Sequence, residues 1–250
     1  MALHFLVDHG DHGDLGDGAA PGGQVVLTGP EAHHAAVVRR VRVGEEVTVG
    51  DGRGVWLTGT VQDVAPTRVA VRITSRRDLP VAAPRLVLAQ ALAKGDRDEL
   101  AIQAATELGV DEIVPWQASR SVSRWTDDKL AKGVARWQGI VREAAKQAHR
   151  AWVPTVAGPV TTAQLAARGG ARLLVLEPTA SLALSSIAVD AGDARDLVLI
   201  VGPEGGIAPD ELAALETAGA ETLRLGDTVL RTSTAGPAAL AVLSARLGRW

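Results

Sequence analysis

The chain contains no cysteine, which excludes disulfides, thiolate metal sites and cysteine nucleophiles and is compatible with a reducing, cytoplasmic setting. No apolar run approaches the ~20 residues of a membrane-spanning helix. The opening MALHFLVDHG has neither the basic start nor the sustained apolar stretch of a secretory signal, so none is expected. A GxSxG nucleophile elbow is also missing, and no hydrolase triad suggests itself.

Across 250 residues, 46% are hydrophobic and 22% charged, the mix of a soluble globular protein with one large domain or two smaller ones. The net charge of −3 argues weakly against a polyanionic partner, but its distribution is uneven. From Ser119 to Arg150 there are eight basic residues (Arg120, Arg124, Lys129, Lys132, Arg136, Arg142, Lys146, Arg150) against three acids (Asp127, Asp128, Glu143), a local 8 − 3 = +5. A second cluster, Arg39, Arg40 and Arg42, follows His33 and His34. Each run alone reads as a solvated face; two in a mildly acidic chain shift the balance toward a polyanion.

Residues 1–78 show period-two alternation at Val47–Val49, Val55–Val64 and Arg68–Ile73, broken by Gly50-Asp51-Gly52 and Pro66, which predicts a small β-barrel. The stretch Asp8 to Gly23, with His9 and His12, is either a flexible loop or an undefined metal site. Leu79 to Pro84 reads as a linker. Beyond it, residues 79–250 alternate strands and helices, giving an α/β fold with a largely parallel sheet. Strands are expected at Arg85–Leu92, Glu112–Trp116, Arg172–Leu176, Leu197–Val201 and Thr222–Leu225. Helices are expected at Arg97–Leu108, with Leu100, Ala104 and Leu108 on one face and Gly109 as the stop, and at Asp127–His149, whose basic residues lie mostly off an apolar stripe. A final Ala- and Leu-rich helix, Ser233–Leu247, fits an internal core or a partner surface equally well.

Three strand ends carry unusual turns: Leu176-Glu177-Pro178, Gly202-Pro203-Glu204-Gly205-Gly206 and Leu225-Gly226-Asp227-Thr228-Val229-Leu230-Arg231-Thr232. Such glycines allow close backbone approach to a ligand, or simply make tight turns. Neither GxGxxG nor GxxxxGK[ST] occurs there, and Glu204 would repel a pyrophosphate. A pocket at these turns would suit a ligand without phosphates, such as an adenosine attached to an amino acid.

GPEGG followed by LGxxxLRTxTA resembles the knotted SPOUT methyltransferases, specifically the ribosomal RNA small subunit methyltransferase E family. LAQALAKGDRDELAIQAATELGVDEIVPW at Leu88–Trp116, His33-His34 through Arg42, and EAAKQAHRAWVP at Glu143–Pro154 extend the resemblance over most of the chain. Lys146 stands where many members carry Glu, Trp152 where arginine is common, and Ser233 where Glu is frequent.

The resemblance implies a SPOUT-type α/β domain with a trefoil knot, preceded by a PUA-like or OB-like barrel. It also implies a homodimer and S-adenosylmethionine held by Leu176, Glu177, Pro178, Gly202, Glu204, Gly205, Gly206, Leu225, Gly226, Leu230 and Thr232. The implied reaction methylates N3 of a uridine in the decoding region of 16S rRNA within the assembled small ribosomal subunit, without a metal. Because that nitrogen carries an imide proton, a base or a stabilising cation is needed; Arg231, Arg150 and Glu204 are the catalytic candidates. Arg39, Arg40, Arg42, Lys94, Arg97, Arg120 and Arg124 are the expected RNA contacts. The rival is a non-catalytic RNA-binding protein, which leaves the three turns unexplained.

Overall fold

The computed structural model describes residues 2–7, 15, 19–126, 128–190 and 192–250. Most of the expected histidine-bearing loop, including His9 and His12, lies outside them, as does Asp127. The chain divides into two compact units, Met1–Val81 with Ala145–Val153 and Ala82–Ala144 with Pro154–Trp250.

In the first unit the elements run β1 (Leu3–Leu6), β2 (Gln24–Thr28), α1 (Gly29–His33), a π turn at His34–Val38, β3 (Glu46–Gly50), β4 (Val55–Ala65) and β5 (Arg68–Asp78). They form one sheet in the order β1-β3-β4-β5-β2, curled into a PUA-like half-barrel. Alternate residues such as Leu57, Val61, Val69, Val71 and Ile73 turn inward onto Phe5, Leu27 and Val49, as a half-buried sheet requires. Gly59 sits at a register shift between β4 and β5. A Cβ there would come within 2.5 Å of the Arg72 carbonyl oxygen, so the bulge depends on glycine.

The division expected between residues 78 and 79 contains no return of the chain, whereas residues 145–153 belong to this unit. Backbone bonds from Gly54 N–H to Ala151 O (3.0 Å) and from Val153 N–H to Gly52 O (2.9 Å) fasten them. Trp152 donates from Nε1 to Leu79 O at 2.9 Å. Lys146, expected off the apolar stripe with the other basic residues, is instead buried, its Nζ 2.8 Å from Glu31. Two of the positions that depart from the family pattern thus have structural partners.

The second unit contains β6 (Leu86–Ala91), α2 (Arg97–Glu107), β7 (Glu112–Trp116), α3 (Asp128–Gln147, whose last residues fall in the first unit), β8 (Thr155–Val156), α4 (Thr162–Ala166), β9 (Ala171–Leu176), β10 (Leu182–Ala183), β11 (Asp196–Val201), α5 (Pro209–Thr217), β12 (Glu221–Arg224) and α6 (Thr232–Arg246). Its seven strands are all parallel, in the order β10-β12-β9-β11-β6-β7-β8. Residues Leu197–Val201 are buried throughout, the mark of a strand covered on both faces.

The inward face of α2 is not the one expected from its leucines. Asp98, Ala101, Ile102, Ala105 and Thr106 are buried, while Leu100 is 52% exposed. Small residues let α2 approach α6, and the Asp98 carboxylate accepts the Ala93 N–H at 3.0 Å, so the core stripe is polar at its start. Gly109, with φ of 92°, ends the helix as expected. On α6, Gly236, Ala239, Leu240 and Leu243 are buried within the chain, against α2, β6 and β11.

Candidate active site

Parallel pairing puts the carboxyl ends of β12, β9 and β11 side by side, and ligands of such sheets bind beyond those ends. The three turns that leave them converge. Glu177 N–H donates to Leu223 O at 2.9 Å, joining the first turn to β12. Gly206, with φ of 72°, donates its N–H to Pro203 O at 2.9 Å and closes the second turn. Thr232 Oγ1 donates to Gly202 O at 2.9 Å and accepts from Gln90 Nε2 at 2.9 Å, so the third turn is pinned to the second and to β6.

Together the turns enclose a cavity of about 410 Å³, within the ~300–1,000 Å³ of small-molecule sites. Leu176, Val201, Ile207, Leu223, Leu225, Val229 and Leu230 supply apolar lining, with Pro178, Gly202, Gly206 and Gly226 between them. A Cβ on Gly202 would lie 2.7 Å from Ile207 Cγ1; glycine there lets Ile207 fold back against its own turn.

Charged side chains also line the cavity. Glu204 Oε1 accepts from Arg97 Nη1 at 2.8 Å and from the Lys94 N–H at 3.2 Å. Burial pushes the Glu204 carboxyl up, but its own backbone N–H, Arg97 and Lys94 outweigh that and hold it below the ordinary carboxylate range. Arg231, the N-cap of α6, is exposed and lines the cavity. Arg224 also lines it and donates to Ala180 O at 3.0 Å, bracing the segment after Pro178.

A family model described as an RNA methyltransferase domain matches residues 81–244, and one described as an RNA methyltransferase PUA domain matches 27–74. A ribosomal RNA small subunit methyltransferase E of Mycobacterium bovis is 44% identical, covering 92% of this chain and 89% of its own. The chain belongs to the ribosomal RNA small subunit methyltransferase E family. The Bacillus subtilis member is 32% identical over 87% of this chain and 88% of its own. The Neisseria gonorrhoeae member, solved bound to S-adenosylmethionine, aligns with TM-score 0.83 and 27% identity over 98% of each chain. A Legionella pneumophila protein solved with the same cofactor has TM-score 0.83 and 31% identity over 98% of each chain.

In this member of the family, Leu176, Glu177, Pro178, Gly202, Glu204, Gly206, Leu225, Gly226, Leu230, Arg231 and Thr232 all line the cavity. Gly205 does not: its missing Cβ points at Arg120 Cβ, 3.4 Å away. Arg150 falls in the first unit and is not a lining residue. Arg39, Arg40 and Arg42 are exposed beside the π turn, with Arg40 at φ 55°. Lys94 is exposed and meets Glu204 through its backbone. Arg124 donates to Ser119 O at 3.0 Å. Arg97 and Arg120, expected on RNA, hold the second turn, Arg120 by donating to Gly205 O at 3.1 Å.

Sequence reading missed Arg224, Ile207 and Gln90. Arg224 ends a strand and Ile207 follows a recognised turn, so extending each motif by one residue finds both. Gln90 is fully buried near the carboxyl end of β6, and a polar residue in an otherwise apolar run was its signal.

Proposed function

We propose that the chain binds S-adenosylmethionine in this cavity and methylates N3 of a uridine in the decoding region of 16S rRNA, in the assembled small ribosomal subunit. One observation carries the reading: three turns remote in sequence line a single cavity of about 410 Å³. The lining fits that cofactor. Apolar side chains suit the faces of an adenosine, strand-end backbone suits its polar edges, and the Glu204 carboxylate disfavours a phosphate. When bound, the sulfonium supplies an already activated methyl group.

The chain's own residues then orient the uridine and ease loss of its imide proton. Arg231 is the cation for the charge that develops on the base, with Arg150 as a further substrate contact. Glu204, an anion committed to Arg97, holds the turn. Exposed Arg39, Arg40, Arg42, Lys94 and Arg124 serve RNA phosphates. Residues 1–78 act as the RNA-gripping module and 79–250, apart from the segment 145–153 that belongs to the first unit, as the catalytic one, in a cytoplasmic homodimer. A trefoil knot belongs to the same reading, supported by the passage of the chain from β12 through the third turn, tied at Thr232 to Gly202 and Gln90, into α6, which packs on α2.

Small subunits from cells lacking this methylation, incubated with the protein and labelled S-adenosylmethionine, should yield 3-methyluridine on nucleoside analysis. Label in another nucleoside, or none, overturns the proposal. Light scattering should return twice the 25.9 kDa chain mass; a monomer removes the dimer from it.

A further inference from the structure

The Gly202–Gly206 turn is gripped by two guanidinium groups. Arg97 donates from Nη1 to Glu204 Oε1 at 2.8 Å. Arg120 donates from Nη1 to Gly205 O at 3.1 Å and to Ile207 O at 3.5 Å, and its Cβ would lie 3.4 Å from a Cβ on Gly205. Arg120 therefore runs along the turn, its Cβ beside that glycine.

Each grip uses a single nitrogen. Among the described residues, Nε and Nη2 of both side chains have no hydrogen-bond partner, and both residues are exposed. A guanidinium is a rigid planar fork with donors on several edges, so one edge can hold a carbonyl or carboxylate while another holds a phosphate oxygen. Lysine has no such geometry.

We propose that Arg97 and Arg120 are shared between the two substrates: each holds the cofactor turn through Nη1 and takes a backbone phosphate of the RNA on its remaining N–H groups, so that RNA and cofactor bind cooperatively. This rests on the reading of the cavity as the S-adenosylmethionine site and of RNA as the methyl acceptor. An exposed arginine held at one nitrogen keeps much of its rotational freedom, and its grip on the turn is correspondingly weak. A phosphate on the second edge removes that freedom. The turn is then already ordered when the cofactor arrives, and by linkage the cofactor favours RNA equally. Both arginines are positioning residues for the cofactor, acting through the turn.

The test uses labelled S-adenosylhomocysteine, which has no methyl to transfer, in equilibrium dialysis with and without saturating unmethylated small subunits. Subunits should tighten its binding to the unaltered protein by about 5-fold or more. In Arg97→Lys and Arg120→Lys, which keep the charge, the tightening should shrink below about 2-fold while subunit binding persists. A merely structural role weakens cofactor binding equally in both conditions and leaves the ratio intact, which overturns the proposal. So does an unaltered protein whose affinity ignores the subunits. Failure to bind the probe in either condition strikes the cofactor reading beneath it instead.

Discussion

Arg97 Nη1 and Glu204 Oε1 lie 2.8 Å apart although 107 residues separate them in sequence. The pair joins the start of α2 to the turn after β11, the two places where the chain leaves adjacent strands of the sheet. It favours the ionised form of Glu204 at the cavity wall. A carboxyl held below its ordinary range is a weak proton acceptor, and the stability it contributes is present at neutral pH and lost as pH falls through that depressed value.

Glu204→Gln should therefore weaken S-adenosylmethionine binding by about 3- to 10-fold, the loss of one charge-assisted hydrogen bond, and leave the shape of the kcat–pH profile unchanged. If the acid limb of that profile disappears in the variant, Glu204 is a base after all.

Gly202 and Gly205 should behave differently although they share a motif. Gly202→Ala drives Ile207 from its position, because the new Cβ would be 2.7 Å from Ile207 Cγ1, and cofactor affinity should drop by about 10-fold. Gly205→Ala places its Cβ at ordinary distance from Arg120, 3.4 Å, so a smaller loss is expected. Calorimetry on both variants checks the order, and equal losses would refute it.

Lys146 Nζ lies 2.8 Å from Glu31, and their side chains are only 7% and 16% exposed. Removing one charge strands the other, which costs about 3–5 kcal/mol for a buried pair. Lys146→Met should lower stability by about 3 kcal/mol, and adding Glu31→Gln should recover at least half, since Gln can still accept the Leu6 N–H that Glu31 takes at 3.1 Å. Urea unfolding of the single and double variants measures this; a double variant no more stable than the single one contradicts it.

His4 is buried and stacked on Trp56 at 4.2 Å, with Nδ1 2.9 Å from Thr48 Oγ1. Burial first, then His149 and Lys146, lower its pKa to about 3. Above pH ~6.5 the imidazole is neutral in both folded and unfolded chains. Below that, the unfolded chain takes up a proton that the folded one refuses, so stability falls until pH reaches about 3. Between pH 7 and 5 the loss should be about 2 kcal/mol. His4→Phe, which keeps the stack on Trp56, should lose less over that interval; equal slopes in thermal or urea unfolding would show that His4 does not titrate this way.

Arg39, Arg40 and Arg42 form an exposed row beside the π turn. Replacing all three by Ala should weaken small-subunit binding and reduce its salt slope by about 2, near 0.7 for each phosphate no longer neutralised. An unchanged slope makes them ordinary surface charge.

The amino-acid sequence alone determined β3 to β7, β9, β11 and β12 and the helices α2, α3 and α6, because period-two and helical patterns are local consequences of which side chains must avoid water; the short β1, β2, β8 and β10 and the helices α1, α4 and α5 were given no range. It also marked the three turns, since glycine beside proline or glutamate at a strand end has a local reason. The fold decided what those turns enclose: β12, β9 and β11 become neighbours only through parallel pairing among distant segments. It also decided which side of α2 faces inward, where close approach to α6 favours small residues over the leucines. The partners of Arg97, Arg120 and Lys146 are likewise tertiary, because a long cation reads in sequence as surface charge until a distant carboxylate or carbonyl is brought within 3 Å or so of it.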